Sequence, residues 1–134
     1  MHQKPIRIIS FGQHQVEKIQ MSPCPIPDRQ TLHLQLDVRL IPDPKPVFPR
    51  VPGTDPRVSS FVLTSAEALE LLPGYWAAIT GCLPLLGKSE RYTALHVHVM
   101  CGGGFQRSVA VAEHFAAKAS GTWIRSDSRA PPAR

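Results

Sequence analysis

The sequence predicts a small α/β fold: a mixed sheet with at least one parallel βα unit, and a glycine loop suited to anions at a strand-to-helix turn. Three observations predict it. The apolar run Leu95-His96-Val97-His98-Val99-Met100 is followed by Cys101-Gly102-Gly103-Gly104-Phe105-Gln106-Arg107-Ser108, and then by a helical pattern over about 106–119. Residues 6–11 and 32–38 carry strand patterns. Helical patterns lie between the second of these and the run at 95–100, and alternation of strands with helices favours parallel pairing.

Taken in order, residues 6–11 read as a buried strand opened by Pro5. Residues 13–30 hold Pro23, Pro25 and Pro27 and are expected to be a loop. Leu32-His33-Leu34-Gln35-Leu36-Asp37-Val38 alternates apolar and polar side chains, which is the period of a strand. Residues 42–56 carry six prolines (42, 44, 46, 49, 52 and 56), which excludes regular structure there and predicts a long loop, ordered or mobile, of the kind that often carries function. Thr64 with Glu67 has capping-box spacing, so a helix is expected to start near Ser65. Pro73-Gly74 is expected to interrupt it, with a second helix presenting Trp76, Ile79, Leu83 and Leu86 on one face. Residues 93–100 form the third strand. The helix over 106–119 turns Val109, Ala112, Phe115, Ala116 and Ala119 inward, and Gly121 stops it. Thr122-Trp123-Ile124 is a short final strand, and about 126–134 is expected to be a disordered tail.

The length of 134 residues suits one domain over 1–134. A net charge of +5 fits anionic ligands or nucleic acid without choosing between them. Prolines, glycines or charges interrupt every apolar run short of a membrane span, and residues 1–7 lack a following signal-peptide core. No membrane partner is therefore expected. Three widely spaced cysteines make neither a disulfide framework nor a zinc knuckle, so a reducing, cytoplasmic setting is the expectation.

The chemistry concentrates at 101–108. Glycines let backbone N–H groups converge, the helix start adds its dipole, and Arg107 offers a planar fork for phosphate. The same C-x5-R-[ST] spacing occurs in cysteine phosphatases, where a thiolate attacks phosphorus. Here Met100 stands where those enzymes usually carry histidine, and no general acid is placed. Catalysis through Cys101 and Arg107 is the alternative to plain binding. Asp37 and Arg39, two apart, suit a polar wall or an internal ion pair. Gly81 to Ser89 imitates a nucleotide P-loop but has five residues between its glycines instead of four, and reads as a helix end. His96 and His98 share a strand face at a spacing known from zinc sites, with His33 or His114 as a third donor. With no acidic partner in view, neither a metal nor a cofactor is expected.

Several ordered motifs resemble the C-terminal domain of the RNase adapter RapZ family. Cys101 to Val109 resembles its C-T-G-G-x-H-R-S-V, with Gly102 in place of threonine and Gln106 in place of histidine. Ser10-Phe11-Gly12 resembles its opening S-F-G, Asp37 to Pro44 its D-V-R-F-L-P-N-P, and Gly53-Thr54-Asp55 its G-L-D. Leu83-Pro84-Leu85-Leu86 followed by Arg91 resembles its L-P-x-L and arginine. The resemblance covers about 6–120, and the family's shorter corresponding connection implies that 13–30 is an insertion. It implies a non-catalytic regulatory pocket for a phosphorylated metabolite such as glucosamine 6-phosphate, with RNA, a regulatory protein or a second copy of the chain as further partners. The residues it assigns to that pocket are Asp37, Arg39, Cys101, Gly102, Gly103, Gly104, Gln106, Arg107 and Ser108. His14, at the family's lysine, joins them, as do Lys45, at its histidine, and Arg91. The family's nucleotide-binding N-terminal domain lies outside this resemblance, so nucleotide hydrolysis is not carried over. The family has apolar residues where His96 and His98 stand.

Overall fold

Every described strand pairing in the sheet is parallel, so paired strands are joined by crossovers rather than hairpins. The computed structural model describes residues 4–14 and 29–125. Strand β1 is Ile6–Gly12, β2 is Thr31–Asp37, β3 is Ala94–Cys101 and β4 is Thr122–Arg125. The helices are α1, Pro56–Leu63, α2, Ala66–Lys88, and α3, Arg107–Ala119. The strand order is β2-β3-β1-β4. The α/β class and the parallel βα unit hold, and the sheet is parallel throughout where mixed pairing was expected. The expected insertion falls mostly on 15–28 and the expected tail on 126–134, outside the described residues.

Parallel register aligns side chains into rows. Ile6, Leu95 and Leu32 share one row, and Ile8, Val97 and Leu34 the next on the same face. This face carries the core with Leu36, Val99, Val58, Val62, Leu72, Ile79, Leu86 and Phe115. The opposite face alternates with it and presents Arg7, His96 and His33 in one row. Ile9, Phe11, His98 and Met100 on that opposite face are buried as well.

Two expectations about helices change. Residues 66–88 form one helix of 23 residues that runs through Pro73 and Pro84. The two prolines are eleven apart, about three turns, and both are exposed. The carbonyls that lose an N–H donor therefore lie toward water, which solvates them. Leu72, Ile79 and Leu86 on the other side hold the helix to the core. This continuous α2 is long and apolar enough to cross a membrane by length and composition, unlike the interrupted runs expected. Ser65 caps it by accepting from the N–H of Ala68 at 3.1 Å.

Helix α1 starts at Pro56, the last residue of the expected loop, and covers 57–63, for which no element was expected. Asp55 is its N-cap and Pro56 its first residue. Proline is welcome there because its missing N–H would have had no intrahelical partner. At the far end of α3, Ser120 takes the left-handed conformation, with φ 52°, and the N–H of Gly121 reaches Ala116 O at 2.8 Å.

Candidate functional site

Strand β3 ends at Cys101 and α3 begins at Arg107, so residues 102–106 form the turn at the carboxyl edge of the two central strands. The adjacent end of β1 lies directly against it. A Cβ added at Gly12 would come within 2.4–2.6 Å of the backbone of Gly103 and Gly104. Gly104 has φ +75°, and its own added Cβ would lie 2.5 Å from Gly12 N. The S-F-G and glycine-loop motifs are thus two halves of one backbone contact. The N–H of His14 donates to Gly102 O at 3.0 Å and fixes the chain leaving β1.

A third segment closes the site. Gly53 donates to Phe105 O at 3.0 Å and packs against the start of α3. Gln106 donates both amide hydrogens, to Phe48 O and Val51 O, each at 2.8 Å. Arg107 Nη1 donates to Arg39 O and Ile41 O, both at 3.0 Å. The proline-rich loop is held over the glycine turn by these bonds.

The result is an open cleft of about 460 Å³ lined by His14, Asp43, Lys45, Arg50, Phe105 and Arg107 above Cys101, Gly102, Gly103 and Gln106. His14 and Arg107 converge on Gly102: a Cβ there would lie 3.3 Å from His14 Nε2 and 3.5 Å from Arg107 Nη2. The side chains of His14, Lys45 and Arg50 have no hydrogen-bond partner among the described residues. Arg50 has φ 64°, a strained left-handed backbone for a non-glycine residue beside the cleft. Gln106 caps α3 without a side-chain bond to it, so the helix's first N–H groups carry no side-chain cap.

Cys101 is buried beneath this surface. Its thiol donates to Ser108 Oγ and its sulfur accepts from the N–H of Gly104, both at 3.2 Å. Ser108 and Gly104 therefore brace the loop from below.

Asp37 and Arg39 form an ion pair at 2.7 Å beside the cleft. Arg39 also donates to Gln13 Oε1. The side-chain hydrogen bond from Arg39 is the chief cause that holds the Asp37 carboxyl below its ordinary value, with a smaller pull from Arg107. Neither residue lines the cleft. Arg91 precedes β3, at the strand's opposite end, with its guanidinium 5.1 Å from the Tyr92 ring centre, and is not brought to the cleft.

The binding set expected from sequence left out Asp43, Arg50 and Phe105. Asp43 sits two residues before Lys45 and accepts its N–H at 3.0 Å, a local turn readable from spacing. Phe105 lies inside the glycine loop itself. Arg50, between two prolines, had no local signal.

Residues 4–129 match the family model described as the RapZ C-terminal domain. Curated relatives called "Nucleotide-binding protein" are similar over part of their length. One from Anaeromyxobacter sp. (strain K) is 38% identical over 91 residues, covering 66% of this chain and 31% of the relative. One from Oceanobacillus iheyensis is 38% identical over 84 residues, covering 61% of this chain and 28% of the relative. One from Corynebacterium diphtheriae is 36% identical over 85 residues, covering 62% and 28%. The chain spans about a third of the length of these relatives.

Proposed function

Since the chain belongs to the RapZ C-terminal domain family, we propose that it is a cytoplasmic regulatory domain that binds a phosphorylated small molecule and does not turn it over. The observation that carries this reading is the convergence of His14 and Arg107 on Gly102, at the start of α3. A phosphate there accepts from helix N–H groups and from Arg107, with Lys45 and Arg50 around it. Phe105 offers an apolar face to a sugar ring, and Asp43 an acceptor for a hydroxyl or amine. Glucosamine 6-phosphate combines those groups and is the ligand we favour.

Calorimetry with glucosamine 6-phosphate, glucose 6-phosphate, inorganic phosphate and a nucleoside monophosphate tests the site and ranks the classes. Arg107→Ala should weaken the best ligand about tenfold to hundredfold, the usual worth of one charge-assisted contact. Arg107 also ties two carbonyls of the 39–41 segment, so Lys45→Gln serves as a variant that leaves those ties intact. Unchanged affinity in both variants would remove the ligand from this cleft. Preference for the nucleoside monophosphate would bring the relatives' name to this domain.

Cys101→Ser separates binding from catalysis, because only sulfur can act as the thiolate nucleophile. Ligand binding should persist, and wild type should not hydrolyse an aryl phosphate. Hydrolysis that disappears in Cys101→Ser would establish the phosphatase instead. The same cations give RNA phosphates a place to dock, so a bound sugar phosphate should lower RNA retention in filter binding at low salt.

A further inference from the structure

We propose that His33, His96 and His98 form a site for one divalent late transition-metal ion of the Zn²⁺ class, on the sheet face opposite the core helices. The topology builds this cluster. His96 and His98 are two apart on β3 and point to the same face. His33 on β2 is in register with His96, so it stands directly beside it. One ring nitrogen from each residue lies within 4.8 Å of the others. His33 Nδ1 and His98 Nε2 are already 3.0 Å apart. Two nitrogens bound to one tetrahedral zinc are about 3.3 Å apart, given Zn–N bonds of about 2.0–2.1 Å. That pair therefore needs only a few tenths of an ångström of adjustment, and a side-chain rotation brings in the third.

Burial favours ligation over a solvated histidine patch. His98 is fully buried, and His33 and His96 are partly buried beside it. The donor set is three neutral imidazoles with no carboxylate, which selects zinc, copper, nickel or cobalt over magnesium or calcium. Three protein ligands leave a fourth position for water or a small ligand. His114, the other third donor the sequence allowed, lies elsewhere, in a groove with Trp76 and Lys118.

Arg7 opposes the ion. Its Nη1 lies 3.3 Å from His96 Nε2, and a positive charge so close lowers affinity for a cation. Arg7 is exposed and can swing away. This gives the site a variant with the opposite sign to ligand removal.

The test uses the full chain, stripped with a chelator and titrated with CoCl2 by visible absorption, then with ZnCl2 against a competing chromogenic chelator. One equivalent should bind, with the intense visible band of tetrahedral cobalt. His33→Gln and His96→Gln should each lower affinity about tenfold or more, and their combination should abolish the band. Both positions are only partly buried, which spares the fold, and circular dichroism checks it. Arg7→Gln should tighten binding severalfold, while His14→Gln should leave it unchanged. ZnCl2 should raise the melting temperature of wild type but not of the double variant. Equal metal uptake by wild type and double variant, or none by either, overturns the proposal.

Discussion

Lys4 and the cations of the cleft sit at opposite edges of the same sheet, and they are used in opposite ways. At the edge where the central strands begin, Lys4 Nζ donates to Leu86 O, Ser89 O and Tyr92 O at 2.6–2.7 Å. Its three hydrogens are all engaged, at the carbonyl end of α2, where a positive charge is favoured. At the edge where those strands end, Lys45, Arg50 and Arg107 surround glycine backbone and the N–H end of α3. One edge consumes its cation to close the fold. The other collects cations, with Asp43 as the one carboxylate of the lining, where backbone dipoles already point positive, so the balance of charge there favours an anion.

The comparison breaks first at Gly12. Gly12→Ala puts a methyl within 2.4–2.6 Å of loop backbone that cannot move aside cheaply. It should cost more than about 3 kcal/mol, or displace the loop and abolish phosphate binding. Unaltered melting and affinity together would mean the two glycine motifs do not touch.

Next comes Lys4→Met, which keeps the stem and removes the three donors. Denaturant unfolding should lose about 2–3 kcal/mol, with phosphate affinity unchanged. A parallel loss of affinity would show that the two edges are coupled.

Gln106→Leu sharpens the picture within the cleft. It leaves Phe48 O and Val51 O without their donor and should cost about 1–2 kcal/mol. Affinity should fall severalfold, because the loop it ties down carries Lys45 and Arg50. Full affinity with lower stability would make Gln106 a structural tie alone.

The smallest effect is at Asp37. Its carboxyl is held below its ordinary value, so its stabilising contribution is present above the unfolded carboxylate range and is lost as pH falls through the lower folded value. Asp37→Asn should flatten the stability profile below about pH 4. At neutral pH it should cost under about 1 kcal/mol, because the pair with Arg39 is largely exposed. A large neutral-pH loss would assign Asp37 more than an exposed pair.

The sequence alone determined the strands, the α/β class, the turn at 101–107 and the start of α2 at Ser65. Each depends on neighbours along the chain: alternating apolar residues, a run of glycines, a capping serine. Proline was where local reading failed. Asp55-Pro56 opens α1 although it closes a proline-rich stretch, and Pro73 sits inside α2 because the core clamps the other side of that helix. Only the tertiary structure decided what faces what. It brought Arg50, Asp43 and Phe105 to the cleft, left Arg91 at the far end of β3, and used the Gln106 amide to tie the loop above it. It also chose His33 over His114 as the neighbour of His96 and His98. Strand register across β2 and β3, not spacing along the chain, sets that distance, and register follows from burying one whole face of the sheet.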